Sequence, residues 1–146
     1  MTIARILEAR NEGRNAEILT CEGDFTVSQA VARLGEHRIG ALPVIRDGAV
    51  VGIFSERDVI YKLRELGPRA LDMPVQDAMT APAVTVSADT SALAALALMT
   101  KRRIRHLPVL QDGTMIGFVS IGDIVKYRVE QIEAEAEAMR DYIRAV

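Results

Sequence analysis

The sequence predicts an α/β fold built twice from one β-α-β-β-α unit, followed by a long C-terminal helix. Three observations lead there. The stretch IGALPVIRDGAVVGIFSERD from Ile39 to Asp58 returns as IRHLPVLQDGTMIGFVSIGD from Ile104 to Asp123, at a constant offset of 65 residues, 104 against 39. Asp47-Gly48 and Asp112-Gly113 each split a pair of β-branched apolar runs, the pattern of a tight hairpin. No Gly or Pro occurs from Asp123 to Val146. A duplicated unit that cannot bury its apolar face alone packs against its copy, so the pair should form one body with a pseudo-twofold axis and two related clefts.

Taken in order, Ile18 to Thr20 is the first short strand. Val27, Ala30, Val31 and Leu34 then fall on one helical face, with Thr26 and Gln29 as a capping box. The same offset gives Ala83 to Thr85 as the matching strand, Ala92, Ala95, Leu96 and Met99 as the helix face, and Ser91 as its cap. Ala41 to Ile45 with Val50 to Phe54 forms the first hairpin, and Leu107 to Leu110 with Met115 to Val119 the second. A helix begins near Ser55 and stops at Gly67 and Pro68, after which Arg69 to Pro74 links the halves. These divisions give units over 1–68 and 69–128, with 129–146 as a helical extension. In that extension Val125, Ile132, Met139 and Val146 are spaced by seven, and Val129, Ala136 and Ile143 form a second such row. Together they make a 3-4 apolar seam about three heptads long, which fits either a coiled coil or a helix lying across its own domain; a monomer would struggle to cover it in either case, which favours a homodimer.

The bulk numbers exclude several classes. With 146 residues and 49% apolar content the chain supplies one domain's core. A net charge of −2 and a pI near 5.7 give no footprint for nucleic acid or a membrane surface. Arg5, Glu8, Arg10 and Glu12 interrupt Ile3, Ile6 and Leu7, so no signal-peptide core is present and the cytoplasm is the expected location. The lone Cys21 reads as a buried structural thiol, and His37 and His106 lack the clustering of a metal site. No nucleophile, base and oxyanion donors converge, so an enzyme is not expected.

Chemistry concentrates at two strand-to-helix junctions of the form G-x-x-S-x-x-D: Gly52, Ser55, Asp58 and Gly117, Ser120, Asp123. A carboxylate at a helix start accepts hydrogen bonds from vicinal ribose hydroxyls, while the serine and the free helix N–H groups favour phosphate. Glycine at the strand would let a flat base approach the backbone. The same S-x-x-D is also an ordinary capping box. The cationic run Lys101, Arg102, Arg103, Arg105 has no aromatic platform for nucleic acid, and phosphate attraction or a dimer surface suits it better.

The repeat resembles the CBS (cystathionine β-synthase) domain, and the tandem resembles a complete CBS pair, or Bateman module, over about Ile3 to Tyr127. The resemblance implies two CBS repeats that bind adenosine ligands in the clefts between them, AMP, ADP, ATP, NAD(H) or S-adenosylmethionine, and regulate a partner in trans without a catalytic cofactor. It implies that Asp58 and Asp123 hold ribose hydroxyls, with Ser55 and Ser120 near ribose or phosphate. Thr20 and Thr85 match positions that meet the base. Gly40, Ala41 and Pro43, and Arg105, His106 and Pro108, match the segments that wall the clefts. The copies differ, with Gly40, Ala41, Glu56 and Arg57 in one against Arg105, His106, Ile121 and Gly122 in the other. Unequal clefts are therefore expected. The alternative is a module whose clefts stay empty and which only dimerises or docks a partner.

Overall fold

The computed structural model describes residues 1–12 and 17–145. The first half contains α1 (Ile3–Asn11), β1 (Cys21–Glu22), α2 (Val27–His37), β2 (Ala41–Arg46), β3 (Ala49–Ser55) and α3 (Glu56–Leu66). A 3-10 helix (Gly67–Asp72) and α4 (Val75–Ala78) connect to β4 (Val86–Ser87), α5 (Ala92–Arg102), β5 (His106–Gln111), β6 (Thr114–Ser120) and α6 (Ile121–Ala145). The strands form two three-stranded sheets, β1-β2-β3 and β4-β5-β6. In each, the short strand runs parallel to the first hairpin strand and the hairpin itself is antiparallel. Asp47 and Gly48 take φ of 52° and 79°, and Asp112 and Gly113 take 52° and 77°. Two successive left-handed residues match the twist of the flanking strands, which is why Asp-Gly stands at both turns.

The helix starts follow the sequence pattern. Thr26 Oγ1 accepts from the Gln29 N–H at 3.1 Å while Gln29 Oε1 accepts from the Thr26 N–H at 2.9 Å. Ser91 Oγ accepts from the Ala94 N–H at 3.1 Å. The short strands need correction. They lie at Cys21–Glu22 and Val86–Ser87, each starting three residues later than Ile18–Thr20 and Ala83–Thr85. The Thr20 carbonyl accepts from the Arg33 guanidinium, while Pro82, Ala83 and Val84 line a cleft, so those segments contribute surface and leave the ladder to the residues that follow.

The halves exchange their leading segments. Ile3 N–H donates to Thr90 O at 2.9 Å and Ala4 N–H to Ala88 O at 2.9 Å; correspondingly, Val75 N–H donates to Phe25 O at 2.7 Å and Gln76 N–H to Gly23 O at 3.0 Å. Ile3, Ile6 and Leu7 complete the core of Leu107, Val109 and Val119, whereas Val75 and Ala78 complete that of Leu42, Val44 and Phe54. Each core is thus built from both sides of the sequence division after residue 68, and the segment read as a link is packed structure. Ile3 and Val75 stand 72 apart, while the acceptors Phe25 and Thr90 keep the offset of 65.

Packing accounts for the paired glycines. A Cβ at Gly52 would lie 2.6 Å from Met79 Sδ and 2.8 Å from the Thr80 carbonyl, and one at Gly117 would lie 2.7 Å from the Leu7 methyls. The glycines therefore admit the exchanged segments, not a flat base as their position suggested. Because backbone cannot yield as a leucine tip can, Gly52→Ala is expected to cost about 1–3 kcal/mol and Gly117→Ala less, a ranking readable from urea unfolding midpoints.

Among the described residues, only the first turns of α6 are anchored, with Ile124 fully buried. Beyond it Val129, Ile132, Met139 and Ile143 are 47%, 49%, 60% and 66% exposed, so the seam is not covered by its own domain. Ala136 is half-buried. Val146, the last position of the seam, lies outside the described residues. Cys21 is buried, and burial, opposed by Arg33 and aided by Glu22, pushes its thiol up to about 11. That is the unreactive thiol expected of core packing.

Candidate functional site

Two clefts open between the halves, and each draws residues from both. One, of about 410 Å³, joins Ser120 and Asp123 to Ile18, Leu19, Gly40 and Ala41. The other, of about 570 Å³, joins Ser55 and Asp58 to Pro82, Ala83, Val84 and Arg105. Both volumes suit a small organic ligand. The clefts exist because α3 and α6 start at the end of a hairpin strand. The Glu56 N–H donates to Gly40 O at 3.0 Å and the Ile121 N–H to Arg105 O at 2.8 Å, tying each helix start to the residue just before the neighbouring strand.

The helix-start carboxylates are held by their own capping boxes. Asp58 Oδ2 accepts from the Ser55 N–H at 2.8 Å, and Asp123 Oδ2 from the Ser120 N–H at 2.9 Å. The further partner of each carboxylate differs, on the second oxygen at Asp58 and on the capped oxygen at Asp123. Asp58 Oδ1 accepts from Thr80 Oγ1 at 2.9 Å, and the residue is only 9% exposed. Asp123 Oδ2 pairs with the Arg10 guanidinium at 3.0 Å. Charge divides unequally as well. Among the described residues, Arg57, Arg102, Arg103 and Arg105 line the larger cleft with Glu56 and Asp58, whereas Arg10 and Arg38 line the smaller with Glu17 and Asp123. Three members of the cationic run at and beyond the end of α5, Arg102, Arg103 and Arg105, therefore line one cleft, and Lys101 lines neither.

His106 lines both clefts and stacks on Phe118, with centroids 5.4 Å apart and 18° between planes. Burial pushes its imidazole below the ordinary 6.5, against the weaker upward pull of Asp123 and Glu56, while Arg105 adds to the depression. The unfolded chain takes up a proton near that pH which native His106 resists. Its contribution to stability is therefore complete above 6.5 and is lost as pH falls below it. In thermal melts from about pH 7.5 to about pH 5.5, His106→Phe is expected to lose less melting temperature than the parent.

Of the residues singled out in the sequence, Gly40, Ala41, His106, Ser120 and Asp123 meet in the smaller cleft. Gly40, Ser55, Arg57, Asp58, Arg105 and His106 meet in the larger. Thr20, Pro43, Thr85 and Pro108 line neither: the prolines are buried within β2 and β5, and Thr20 is engaged through its carbonyl. Sequence reasoning missed Thr80 and Arg10, which come from the exchanged segments and so fall outside the offset of 65. It also missed Tyr61 and Ile60, 59% and 63% exposed on α3, where an apolar pair in the first turns facing the junction was the available signal. Among the described residues, no helix is long and apolar enough to cross a membrane.

A duplicated α/β module with two pseudo-symmetric, carboxylate-bearing clefts is the class of protein that the fold and site define. The CBS domain model matches residues 15–65 and 75–130, and the chain belongs to the CBS domain family. It is 37% identical over 148 residues to the mitochondrial CBS domain-containing protein CBSX3 of Arabidopsis thaliana, covering 98% of this chain and 72% of that one. A putative signal-transduction protein with CBS domains from Burkholderia ambifaria superposes with a TM-score of 0.83 at 36% identity, covering 89% of this chain and 95% of that one. The CBS domain pair of protein MJ0100, solved with 5'-methylthioadenosine and S-adenosyl-L-methionine, shares the fold with a TM-score of 0.76 at 22% identity, covering 90% of this chain and 98% of that one.

Proposed function

We propose that this chain is a regulatory sensor that takes adenosine nucleotides into its clefts and acts, as a homodimer, on a separate protein partner. The observation that carries this reading is the pair of helix-start carboxylates, each fixed by its own serine at the floor of a cleft shared by both halves. Asp58 and Asp123 then accept the ribose hydroxyls, and the helix N–H groups with Ser55 and Ser120 meet phosphate. In the larger cleft Tyr61, Pro82 and Val84 give the base an apolar wall, while Arg57 and Arg105 suit a polyphosphate. The adenosine ligands of the MJ0100 pair agree with this chemistry.

Thermal melting with AMP, ADP, ATP, NAD, NADH and S-adenosylmethionine tests the reading, because a ligand that prefers the folded state raises stability by mass action. A rise with adenosine ligands and not with a guanosine control is expected. No rise with any of them would instead favour the module with empty clefts.

The seam on α6 supports the homodimer. Two parallel α6 helices in register would bury Val129, Ile132, Met139 and Ile143 against their copies and set Arg128 beside Glu133, and Glu135 beside Arg140, across the pair. Replacing Ile132 and Met139 together with Asp is expected to weaken association by more than about 100-fold, since each buried apolar side chain contributes about 1.5–3 kcal/mol. Sedimentation equilibrium reads the result, and dimers that persist at the parent's affinity would place the interface elsewhere.

A further inference from the structure

The two clefts close the same corner with different chemistry. In the larger, Thr80 makes both contacts: its N–H donates to the Ile53 carbonyl at 2.9 Å and its Oγ1 to Asp58 at 2.9 Å. The residues 65 positions later are Phe118 and Asp123, and there one side chain makes both contacts. Arg10 donates to the Phe118 carbonyl and, at 3.0 Å, to Asp123 Oδ2. The cause is the length of the exchanged segments. Helix α4 ends at Ala78, so a short hydroxyl arrives just beyond it, whereas α1 runs on to Asn11 and delivers a guanidinium from its last turn.

That difference alters what each carboxylate offers. Thr80 is neutral and leaves Asp58 its full charge. Arg10 neutralises Asp123 in a pair whose side chains are only 33% and 26% exposed, so water screens it less than a surface pair. A neutral nucleoside meets a carboxylate whose acceptor strength the guanidinium already draws off, and one that takes Asp123 Oδ2 displaces the guanidinium and leaves it only the Phe118 carbonyl. An anionic ligand receives the guanidinium as it leaves the carboxylate. Release matters because, among the described residues, Arg38 is the other arginine lining this cleft, and it shares the cleft with Glu17.

Resting on the reading of Asp123 as a ribose acceptor, we propose that Arg10 is the specificity-determining residue of the Asp123 cleft. It exchanges Asp123 for the ligand's phosphate, so that this cleft takes a nucleoside phosphate and disfavours the free nucleoside.

The test is calorimetry with AMP and adenosine on the full chain carrying Asp58→Asn, which weakens the other cleft by about 10- to 100-fold, so that the Asp123 cleft fills first, while leaving an oxygen for the Ser55 cap. AMP is expected to bind more than about tenfold tighter than adenosine. Adding Arg10→Gln should weaken AMP by about tenfold while adenosine binds as well or better, and Arg10→Lys should keep part of the preference. Melting curves of each variant verify that it is folded. An AMP-to-adenosine ratio unchanged by Arg10→Gln overturns the inference. So does loss of all binding in the Asp58→Asn background when the parent binds AMP, an outcome that leaves the sensor reading standing on the Asp58 cleft alone. If the parent binds neither ligand, the sensor reading falls and this inference with it.

Discussion

Replacing Asp58 with Asn is expected to weaken adenosine-nucleotide binding at the larger cleft by about 10- to 100-fold, because a hydrogen bond to a charged acceptor contributes about 1.5–3 kcal/mol. The amide keeps one oxygen for the Ser55 N–H, now 2.8 Å from Asp58 Oδ2, and its nitrogen can donate to Thr80 Oγ1, whose hydroxyl turns to accept. The start of α3 therefore survives. Its cost is confined to the lost interaction of a negative charge with the helix dipole, about 0.3–1 kcal/mol. Binding and stability separate in this variant: calorimetry should show a large loss of affinity while the ligand-free melting temperature falls only slightly. If the carboxylate were merely a cap, the affinity for nucleotide would not change, and Asp58 would be a structural residue in a cleft that ligand does not use.

The duplicated part of the molecule was legible from the residues themselves. Identical Asp-Gly pairs specify identical turns, and Ser-x-x-Asp specifies both the helix start and the position of its carboxylate. The 3.6-residue spacing of Val27, Ala30 and Leu34 fixes which face of α2 is buried. What escaped lay where the repeat changes phase. Ile3, Ile6, Leu7 and Arg10 carry the spacing of an amphipathic helix, yet their charged neighbours read only as evidence against a signal peptide. Their counterparts Val75, Ala78 and Met79 are too few to show periodicity, since α4 is one turn long. The short strands were displaced for a related reason. Two residues of parallel ladder carry little pattern, and Ile18, Thr20, Val84 and Thr85 are as β-branched or apolar as the residues that pair. Because Arg10 and Thr80 arrive on the exchanged segments, the contrast between the two clefts became visible only when both halves were folded together.

The same change of phase sets the largest expected effect on stability, at Phe54. This ring is fully buried in the first core, while its counterpart in the second core, Val119, is much smaller. The space is balanced by the exchanged segments. The second core receives Ile3 and Ile6 where the first receives Val75 and Ala78, and the carbons that Phe54 has over Val119 reappear, one for one, in those two substitutions. Phe54→Ala is thus expected to destabilise the protein by about 3–5 kcal/mol, because the small Val75 and Ala78 cannot close the cavity. Val119→Ala, among the larger Ile3 and Ile6, should cost clearly less. A sharper test follows from the equivalence of the halves. Phe54→Val alone opens a cavity and Ala78→Ile alone overpacks, yet the two together approach the solution already used by the second core, short only of the methylene by which Ile3 exceeds Val75. The double variant is expected to recover about 1–2 kcal/mol relative to the sum of the single changes, within the range of about 0.5–3 kcal/mol found for residues that share a cavity. Urea unfolding of the four proteins measures this coupling. Strict additivity would mean that the two cores reach their packing independently, and that the matching volumes of their exchanged segments have no energetic consequence.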